Sequence, residues 1–274
     1  AAEAGRYARE NYDKREARIP MRDGAKLFTS IYTPKDASRT YPILMCRTPY
    51  SVCPYGADKL REVLGPSDLA MRDGFIVVYQ DVRGCYLSEG QFVDVRPHIE
   101  KKSGPKDVDE STDAYDTIDW LLANVKNHNG KVGMWGISYP GFYAAASMID
   151  HHPALAAVSP QAPIADWFFD DFHHHGTLFL PHAFNFLSGF GRPRPKPTTE
   201  GQPGIEHGTR DGYDFFLHVG PLAEANKRWF KGEVKFWDEF VKHPNYDEFW
   251  AARNLQPHLK HVAPDFFCPE PVHP

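Results

Sequence analysis

The sequence predicts an α/β fold in which a mostly parallel sheet is connected by crossover helices. Short apolar runs that fit buried strands alternate with amphipathic patterns that fit helices. The chain has 274 residues, 42% of them hydrophobic, which is ample for a sizeable core. Strand, helix, strand in this order is typical of a parallel sheet.

The first predicted elements are strands. Residues 19–32 alternate around the turn Met21-Arg22-Asp23-Gly24, which predicts an opening β-hairpin. The apolar runs at residues 42–46 and 75–80 each fit a buried strand. Asp81 and Arg83 follow the second run, and we expect them to form a structural ion pair or a turn.

A crossover helix is predicted next, from Asp109 to Asn124, because apolar residues recur there at helical spacing. Ser111 and Thr112 are its candidate caps. The pattern that follows predicts a strand, a helix of small residues and another strand, over residues 131–136, 141–149 and 155–159.

The composition changes to proline, glycine and charge over residues 189–204, which predicts a long loop. Beyond it Phe230, Val234, Trp237 and Val241 mark one amphipathic helix of a helical cap. The predicted organisation is therefore a core over residues 1–188, a linker and helical cap over residues 189–262, and an irregular tail over residues 263–274.

Charge and composition exclude several classes of partner. The net charge of −5 is spread along the chain without a basic run, which argues against nucleic acid. Nor is there a stretch of about 20 apolar residues that would span a membrane. No charged-then-apolar leader opens the sequence, as expected if a signal peptide was already removed or if the sequence begins inside a longer gene product, and a secreted or periplasmic location is favoured.

Neither a cofactor nor a metal is expected. The run His173-His174-His175 invites a metal interpretation, but adjacent histidines point in different directions and no second ligand group stands at a recognisable spacing. The four cysteines lie far apart, which favours free thiols. A disulfide between Cys53 and Cys85 stays open, since both follow predicted neighbouring strands.

The strongest chemical signal is Gly136-Ile137-Ser138-Tyr139-Pro140-Gly141. A buried strand is predicted before it and a helix of small residues after it, which is the setting of a nucleophile elbow. The common G-x-S-x-G pattern is altered, because Pro140 occupies the second glycine position and Gly141 follows. We predict an α/β-hydrolase fold with Ser138 as the nucleophile.

At this point the chain resembles the α-amino acid ester hydrolases, which are relatives of bacterial cocaine esterase and of the X-prolyl dipeptidyl peptidases. The resemblance covers most of residues 10–260. It rests on five segments in the same order: Met21-Arg22-Asp23-Gly24, Arg47-Thr48-Pro49-Tyr50, Gln80-Asp81-Val82-Arg83-Gly84, residues 136–141, and Asp170-Asp171-Phe172-His173-His174.

The resemblance implies roles for particular residues. The backbone N–H of Tyr139 and the hydroxyl of Tyr50 would hold the oxyanion, and Asp171 would bind the α-ammonium group of the substrate. The expected substrates are small esters and amides with a free α-amino group, including α-amino β-lactam antibiotics. The alternatives are an X-prolyl dipeptidyl peptidase and a cocaine-esterase-like carboxylesterase.

In the resembled family the triad acid and histidine lie beyond the cap, in final strands that a β-sandwich domain follows. We expect those strands and that domain to be absent from this chain. Asp265 and His273 have the right order, but they lie too close together in proline-broken sequence. A second hypothesis is therefore an inactive, truncated product that associates with itself through uncovered surfaces.

Overall fold

The computed structural model describes residues 2–194 and 196–262 of the chain. The irregular tail predicted for residues 263–274, which includes Cys268 and the pair Asp265 and His273, lies outside the described residues.

The chain opens with a short helix, α1 (Ala2–Asn11), and an antiparallel hairpin of two strands, β1 (Tyr12–Pro20) and β2 (Lys26–Pro34). The tight turn between them uses Gly24 in the left-handed region, at φ 90°. The hairpin predicted around this turn is confirmed, and its strands extend further in both directions than the alternation indicated.

The elements that follow build most of a parallel sheet. In chain order they are β3 (Tyr41–Thr48), α2 (Asp68–Asp73), β4 (Ile76–Asp81), α3 (Glu110–Asn124), β5 (His128–Ile137), α4 (Tyr139–Ala146) and β6 (Leu155–Gln161). The strand order is β1-β2-β4-β3-β5-β6. Strands β4, β3, β5 and β6 run parallel, whereas β2 is antiparallel to β4. The mostly parallel sheet is as predicted.

The sheet is covered on both faces, so its central strands are buried on both sides. Every residue of β4 is buried. Ile76 and Val78 belong to the cluster that includes α3 and α4, whereas Val77 and Tyr79 belong to the cluster that includes α1 and α2. Neighbouring residues of a strand point to opposite faces, so β4 supplies both layers of the core.

Helix α3 begins differently from the prediction. Asp109, not Ser111 or Thr112, is the N-cap, and its carboxylate accepts a hydrogen bond from the Thr112 N–H at 3.0 Å. The Thr112 hydroxyl accepts from the Asp109 N–H at 2.9 Å, which completes a capping box. The extended backbone conformation of Asp109 allows its carboxylate to accept hydrogen bonds from the first turn of the helix.

After β6 the chain forms a π-helical turn (Phe168–Phe172) and two short strands, β7 (His173–His174) and β8 (Thr177–Leu178). A helical layer follows, consisting of α5 (Leu180–Phe190), α6 (Gly212–Leu217), α7 (Leu222–Trp229), α8 (Lys235–Lys242), α9 (Glu248–Ala251) and a 3₁₀ turn (Gln256–His261). None of the helices within residues 2–194 and 196–262 has the length and apolar character needed to cross a membrane.

The single helix predicted through Phe230 and Val241 is wrong, because α7 ends before α8 begins. Lys231 and Gly232 lie between them in the left-handed region, at φ 57° and 75°. The Asn226 side chain accepts a hydrogen bond from the Val234 N–H at 3.1 Å and stabilises this break. The predicted inward-facing residues Phe230, Val234 and Trp237 are nevertheless fully buried.

The three cysteines of the described part, Cys46, Cys53 and Cys85, are free thiols. The disulfide left open between Cys53 and Cys85 is therefore not formed. Burial raises the pKa of the Cys46 thiol to about 12 and that of Cys85 well above its usual range. Neither buried thiol is therefore a nucleophile at neutral pH.

A buried network of charges links the turn of the first hairpin, β3, the residues after β4 and α3. Arg83 binds Asp113 through Nε at 3.0 Å and Nη2 at 2.6 Å, and its Nη1 lies 2.7 Å from Asp23. Arg47 is fully buried and places Nη2 3.2 Å from Glu110 and 3.6 Å from Asp113. Asp113, in the first turn of α3, thus contacts both guanidinium groups.

We expect Asp113→Asn to lower the free energy of unfolding by about 3 kcal/mol, because it leaves two buried guanidinium groups short of a counter-charge. Glu3→Gln, which breaks the exposed pair of Glu3 and Arg72, should cost under about 1 kcal/mol. Urea denaturation followed by tryptophan fluorescence measures both. Equal effects of the two substitutions would contradict a stabilising role for the buried network.

Candidate active site

Ser138 lies at the turn between β5 and α4, at the carboxyl edge of the parallel strands. Its backbone has φ 63° and ψ −124°, a conformation that L-residues avoid. The Ser138 N–H donates to the carbonyl of Gln161 at 3.0 Å, and its carbonyl accepts from the Phe142 N–H at 3.0 Å. The residue is exposed, so the strained turn presents its hydroxyl to solvent.

Two glycines make this turn sterically feasible. A Cβ at Gly136 would overlap the carbonyl of Pro140, and a Cβ at Gly141 would lie 2.7 Å from the carbonyl oxygen of Gln161. The unusual sequence of the elbow thus has a geometric reason. Pro140 fits in the first turn of α4, and Gly141 is the residue that faces β6.

Tyr139 is the first residue of α4, and its side chain is fully buried. The N–H groups of the first helical turn have no acceptor within the helix, so the Tyr139 N–H is free of the helical ladder beside Ser138. The phenol points away into the core, where its hydroxyl accepts a hydrogen bond from the Val95 N–H at 2.7 Å. Only the backbone of Tyr139 is therefore suited to contact a substrate.

Tyr50 follows β3 and lies at the same edge of the sheet. Its ring makes an edge contact with the Tyr139 ring at a centroid distance of 6.3 Å. Partial burial and the charge of Asp171 raise the pKa of Tyr50 to about 12, and the nearby Ser138 side chain opposes the rise. The Tyr50 hydroxyl is thus beside Ser138 and remains protonated at neutral pH, as an oxyanion donor must be.

Asp81, at the end of β4, holds the loop that carries Tyr50 in place by hydrogen bonds. The buried Asp81 carboxylate accepts hydrogen bonds from the Val52 N–H at 3.0 Å, from the Tyr55 hydroxyl at 3.0 Å and from the Leu87 N–H at 3.3 Å. Burial raises its pKa to about 7. Asp81 therefore serves as a structural acceptor and has no ion pair with Arg83, which binds Asp23 and Asp113.

Asp171 lies in the π-helical turn and is close enough to Tyr50 for its charge to act on the phenol. Burial raises the pKa of Asp171, while the neighbouring His182 and Trp167 side chains oppose the rise. His182 Nε2 lies 3.6 Å from Asp171 Oδ1. The fold thus brings Tyr50 and Asp171 toward the adjacent residues Ser138 and Tyr139, although the three segments are far apart in sequence.

The first residue of the histidine run, His173, packs into the core, whereas His174 and His175 are exposed. The His173 ring stacks on Phe168 at 3.9 Å, and burial lowers its pKa. Within the described residues, a potential metal-ligand group lies elsewhere, at His98, Asp109 and Asp150. Lys102 Nζ lies 2.9 Å from Asp109 and 2.5 Å from Asp150, so an ammonium group already balances those carboxylates.

Several contributors to this region gave no usable sequence signal. Nothing in the local pattern singles out His182, Trp167 or Tyr55, since each acts through a contact with a residue distant in the chain or across a turn. Asp265 and His273, whose spacing argues against a triad role, lie outside the described residues, so that prediction remains untested.

The chain matches the family model described as X-Pro dipeptidyl-peptidase (S15 family) over residues 23–268. A cocaine esterase from Rhodococcus sp. (strain MB1 Bresler) is 30% identical over 266 residues, which are 89% of this chain and 41% of that protein.

Solved structures agree with this match. A selenomethionine-labelled alpha-amino acid ester hydrolase superposes with a TM-score of 0.80 and 36% identity. An aminopeptidase from the marine sediment archaeon Thaumarchaeota archaeon gives a TM-score of 0.80 with 34% identity. Both comparisons cover 92% of this chain and 41% of the other, and they support the α/β-hydrolase fold predicted for the sequence. The chain thus spans less than half the length of these relatives.

We expect Gly136→Ala to destabilise the protein by about 3 kcal/mol, because its Cβ meets backbone rather than a movable side chain. Gly133→Ala in the same strand is the matched control, since its Cβ would lie 3.5 Å from Leu44 Cδ1, an ordinary contact. The control should change stability by no more than about 0.5 kcal/mol. Thermal and urea unfolding compare the two, and a well-tolerated Gly136→Ala would refute the close approach at the elbow.

Proposed function

The chain belongs to the X-Pro dipeptidyl-peptidase (S15) family, and on that premise we propose that it carries the nucleophile of a serine hydrolase that cleaves esters or amides through an acyl-enzyme on Ser138. The observation that carries this proposal is the exposed, strained Ser138 at the strand–helix turn, with the protonated phenol of Tyr50 close enough for the Ser138 side chain to influence its pKa. Strain of this kind is typical of functional sites.

In the proposed reaction the Ser138 oxygen attacks the substrate carbonyl carbon and gives up its proton to a base. The carbonyl oxygen becomes an oxyanion, which receives hydrogen bonds from the Tyr139 N–H and the Tyr50 hydroxyl. Collapse of the intermediate breaks the bond to the alcohol or amine, which leaves with the proton, and water then hydrolyses the acyl-enzyme. We propose that the histidine base and its acid lie outside the described residues.

We further propose that the substrates are α-amino acid esters and related amides, including β-lactam antibiotics with an α-amino side chain. Asp171 supports this choice, because a partly buried carboxylate beside the nucleophile offers a counter-charge to an ammonium group. The 36%-identical alpha-amino acid ester hydrolase adds support from a relative. A free α-amino group would then compete with His182 for the same carboxylate.

Two related activities are the alternatives within this class. The family description favours an X-prolyl dipeptidyl peptidase, and the Rhodococcus relative favours a cocaine-esterase-like carboxylesterase. The hypothesis of an inactive product that associates with itself predicts no turnover at all. The division into a core over residues 1–188, a linker and cap over residues 189–262 and a tail also remains a prediction.

We expect Tyr50→Phe to lower kcat for ester hydrolysis by about 10²-fold or more with little change in KM, since it removes one oxyanion donor. Ser138→Ala should abolish both turnover and labelling by a fluorophosphonate. Tyr213→Phe, at a tyrosine that is 76% exposed, is the control and should leave both unchanged. The measurement is steady-state kinetics with the full-length protein. Absence of a Ser138 adduct in folded, full-length protein would refute the proposed function and favour the inactive product.

The amino-acyl preference is tested separately. We expect Asp171→Asn to lower kcat/KM for a phenylglycine methyl ester by about tenfold or more, because the ammonium loses its counter-charge, and to spare the des-amino phenylacetate methyl ester. Asp170→Asn is the matched control, since that carboxylate already accepts from the Ala165 and Asp166 N–H groups. Equal losses of kcat/KM for both esters would show that Asp171 does not bind the ammonium group of the substrate.

A further inference from the structure

A histidine of the helical layer, His182, lies against the Asp171 carboxylate. It belongs to the first turn of α5, and its Nε2 atom is 3.6 Å from Asp171 Oδ1. Its ring is nearly parallel to that of Phe186, one turn further along the helix, at a centroid distance of 6.1 Å. Phe186 in turn stacks on Tyr139, the residue after the nucleophile, at 6.5 Å. Helix α5 therefore places the imidazole beside Asp171, and the proposed hydrolysis gives this ring no role.

The position of His182 in its own helix does not favour a positive charge. The partial charge at a helix N-terminus is positive, so a cation in the first turn of α5 is destabilising there. The first turn of this helix contains no acidic side chain that could offset the charge. A protonated imidazole at this position therefore depends on Asp171, from the π-helical turn, for its counter-charge.

The other groups that face Asp171 carry no positive charge. Asp170 is a second carboxylate, and its Oδ2 atom already accepts hydrogen bonds from two backbone N–H groups. Trp167 and Tyr50 approach Asp171 with a neutral indole and a neutral phenol. Among the described side chains that act on this carboxylate, His182 is the one that becomes a cation near neutral pH.

The contact between these two side chains is weak and reversible. The His182 side chain is 51% exposed and that of Asp171 is 30% exposed. Ion pairs with this much exposure shift an equilibrium only a few-fold. An imidazole gains its charge as the pH falls from about 8 to about 5. Over that range the carboxylate changes from an open acceptor to one with a cation already beside it.

We propose that His182 is a specificity-determining residue, an internal cation that a substrate ammonium must displace from Asp171. The inference rests on the proposed function, in which Asp171 binds that ammonium. While the imidazole is neutral, the carboxylate is open to the ammonium. Once protonated, the imidazole competes with it, and the preference of the site for amino substrates over neutral esters becomes smaller. A neutral substrate makes no ion pair with Asp171 and binds equally in both states.

Benzylamine and benzyl alcohol test the inference by isothermal titration calorimetry of the full-length protein, at about pH 5.5 and about pH 8, the range in which an imidazole titrates. Benzylamine keeps its ammonium group at both values, and benzyl alcohol is a neutral compound of the same size. We expect benzylamine to bind about threefold more weakly at the lower pH, because the protonated imidazole competes with it. The affinity of benzyl alcohol should be the same at both values.

Two substitutions of His182 separate its charge from its shape. His182→Asn removes the cation and should raise the affinity of benzylamine about threefold at the lower pH, with no change at the higher pH. His182→Lys keeps a cation at both values and should lower the affinity at the higher pH by a similar factor. His218→Asn is the matched control, because it removes an exposed histidine that lies 3.7 Å from Asp214 on α6. The control should change neither affinity.

Asp171→Asn distinguishes failure of this inference from failure of the proposed function. If it weakens benzylamine binding while the two His182 variants bind like the unsubstituted protein at both pH values, Asp171 binds the ammonium and the inference is overturned. If Asp171→Asn leaves benzylamine affinity unchanged, the amino-acyl proposal fails and the inference fails with it. Labelling of Ser138 tests the serine hydrolase separately, and none of these binding measurements depends on turnover.

Discussion

The bidentate pairing of Arg83 with Asp113, and the neighbouring pairing of Arg47 with Glu110, anchor the rest of the fold. These charges come from the end of β3, the residues after β4 and the start of α3, and Asp23 adds the hairpin turn. A buried network of this kind is costly unless all its members are present, because a lone guanidinium in the core has no compensation. It therefore sets the register in which separate segments meet.

That register determines where the chemistry lies. Since β3, β4 and β5 are parallel and aligned, the residues that follow their carboxyl ends reach one edge of the sheet. Tyr50, Asp81 and Ser138 come from these three strands. Asp81 binds the Tyr50 loop, so a structural carboxylate supports the phenol that lies beside the serine.

At the elbow, a conformation that serves function lowers stability. Ser138 adopts an unfavourable conformation, and the surroundings compensate with a wholly buried helix α4 and two glycines that permit close approach. Tyr139 connects this strained turn to the core, because its backbone flanks Ser138 while its hydroxyl binds the strained Val95. Tyr139 thus connects the two unfavourable backbone conformations, at Ser138 and at Val95.

The sequence by itself determined the hairpin, the order of strands and helices, the elbow at Ser138 and, through family resemblance, the candidates Tyr50, Tyr139 and Asp171. These features depend on the local sequence: on the hydrophobic period, on the turn residues and on two glycines where a side chain would overlap the backbone. Only the tertiary structure decided that Asp109 caps α3, that α7 and α8 are separate helices, and that His182 lies beside Asp171. Helical period does not reveal a break that the Asn226 side chain stabilises. Charge pairs between distant segments, such as Arg47 with Glu110, leave no mark on either local pattern, because their energy depends on distance in space rather than along the chain.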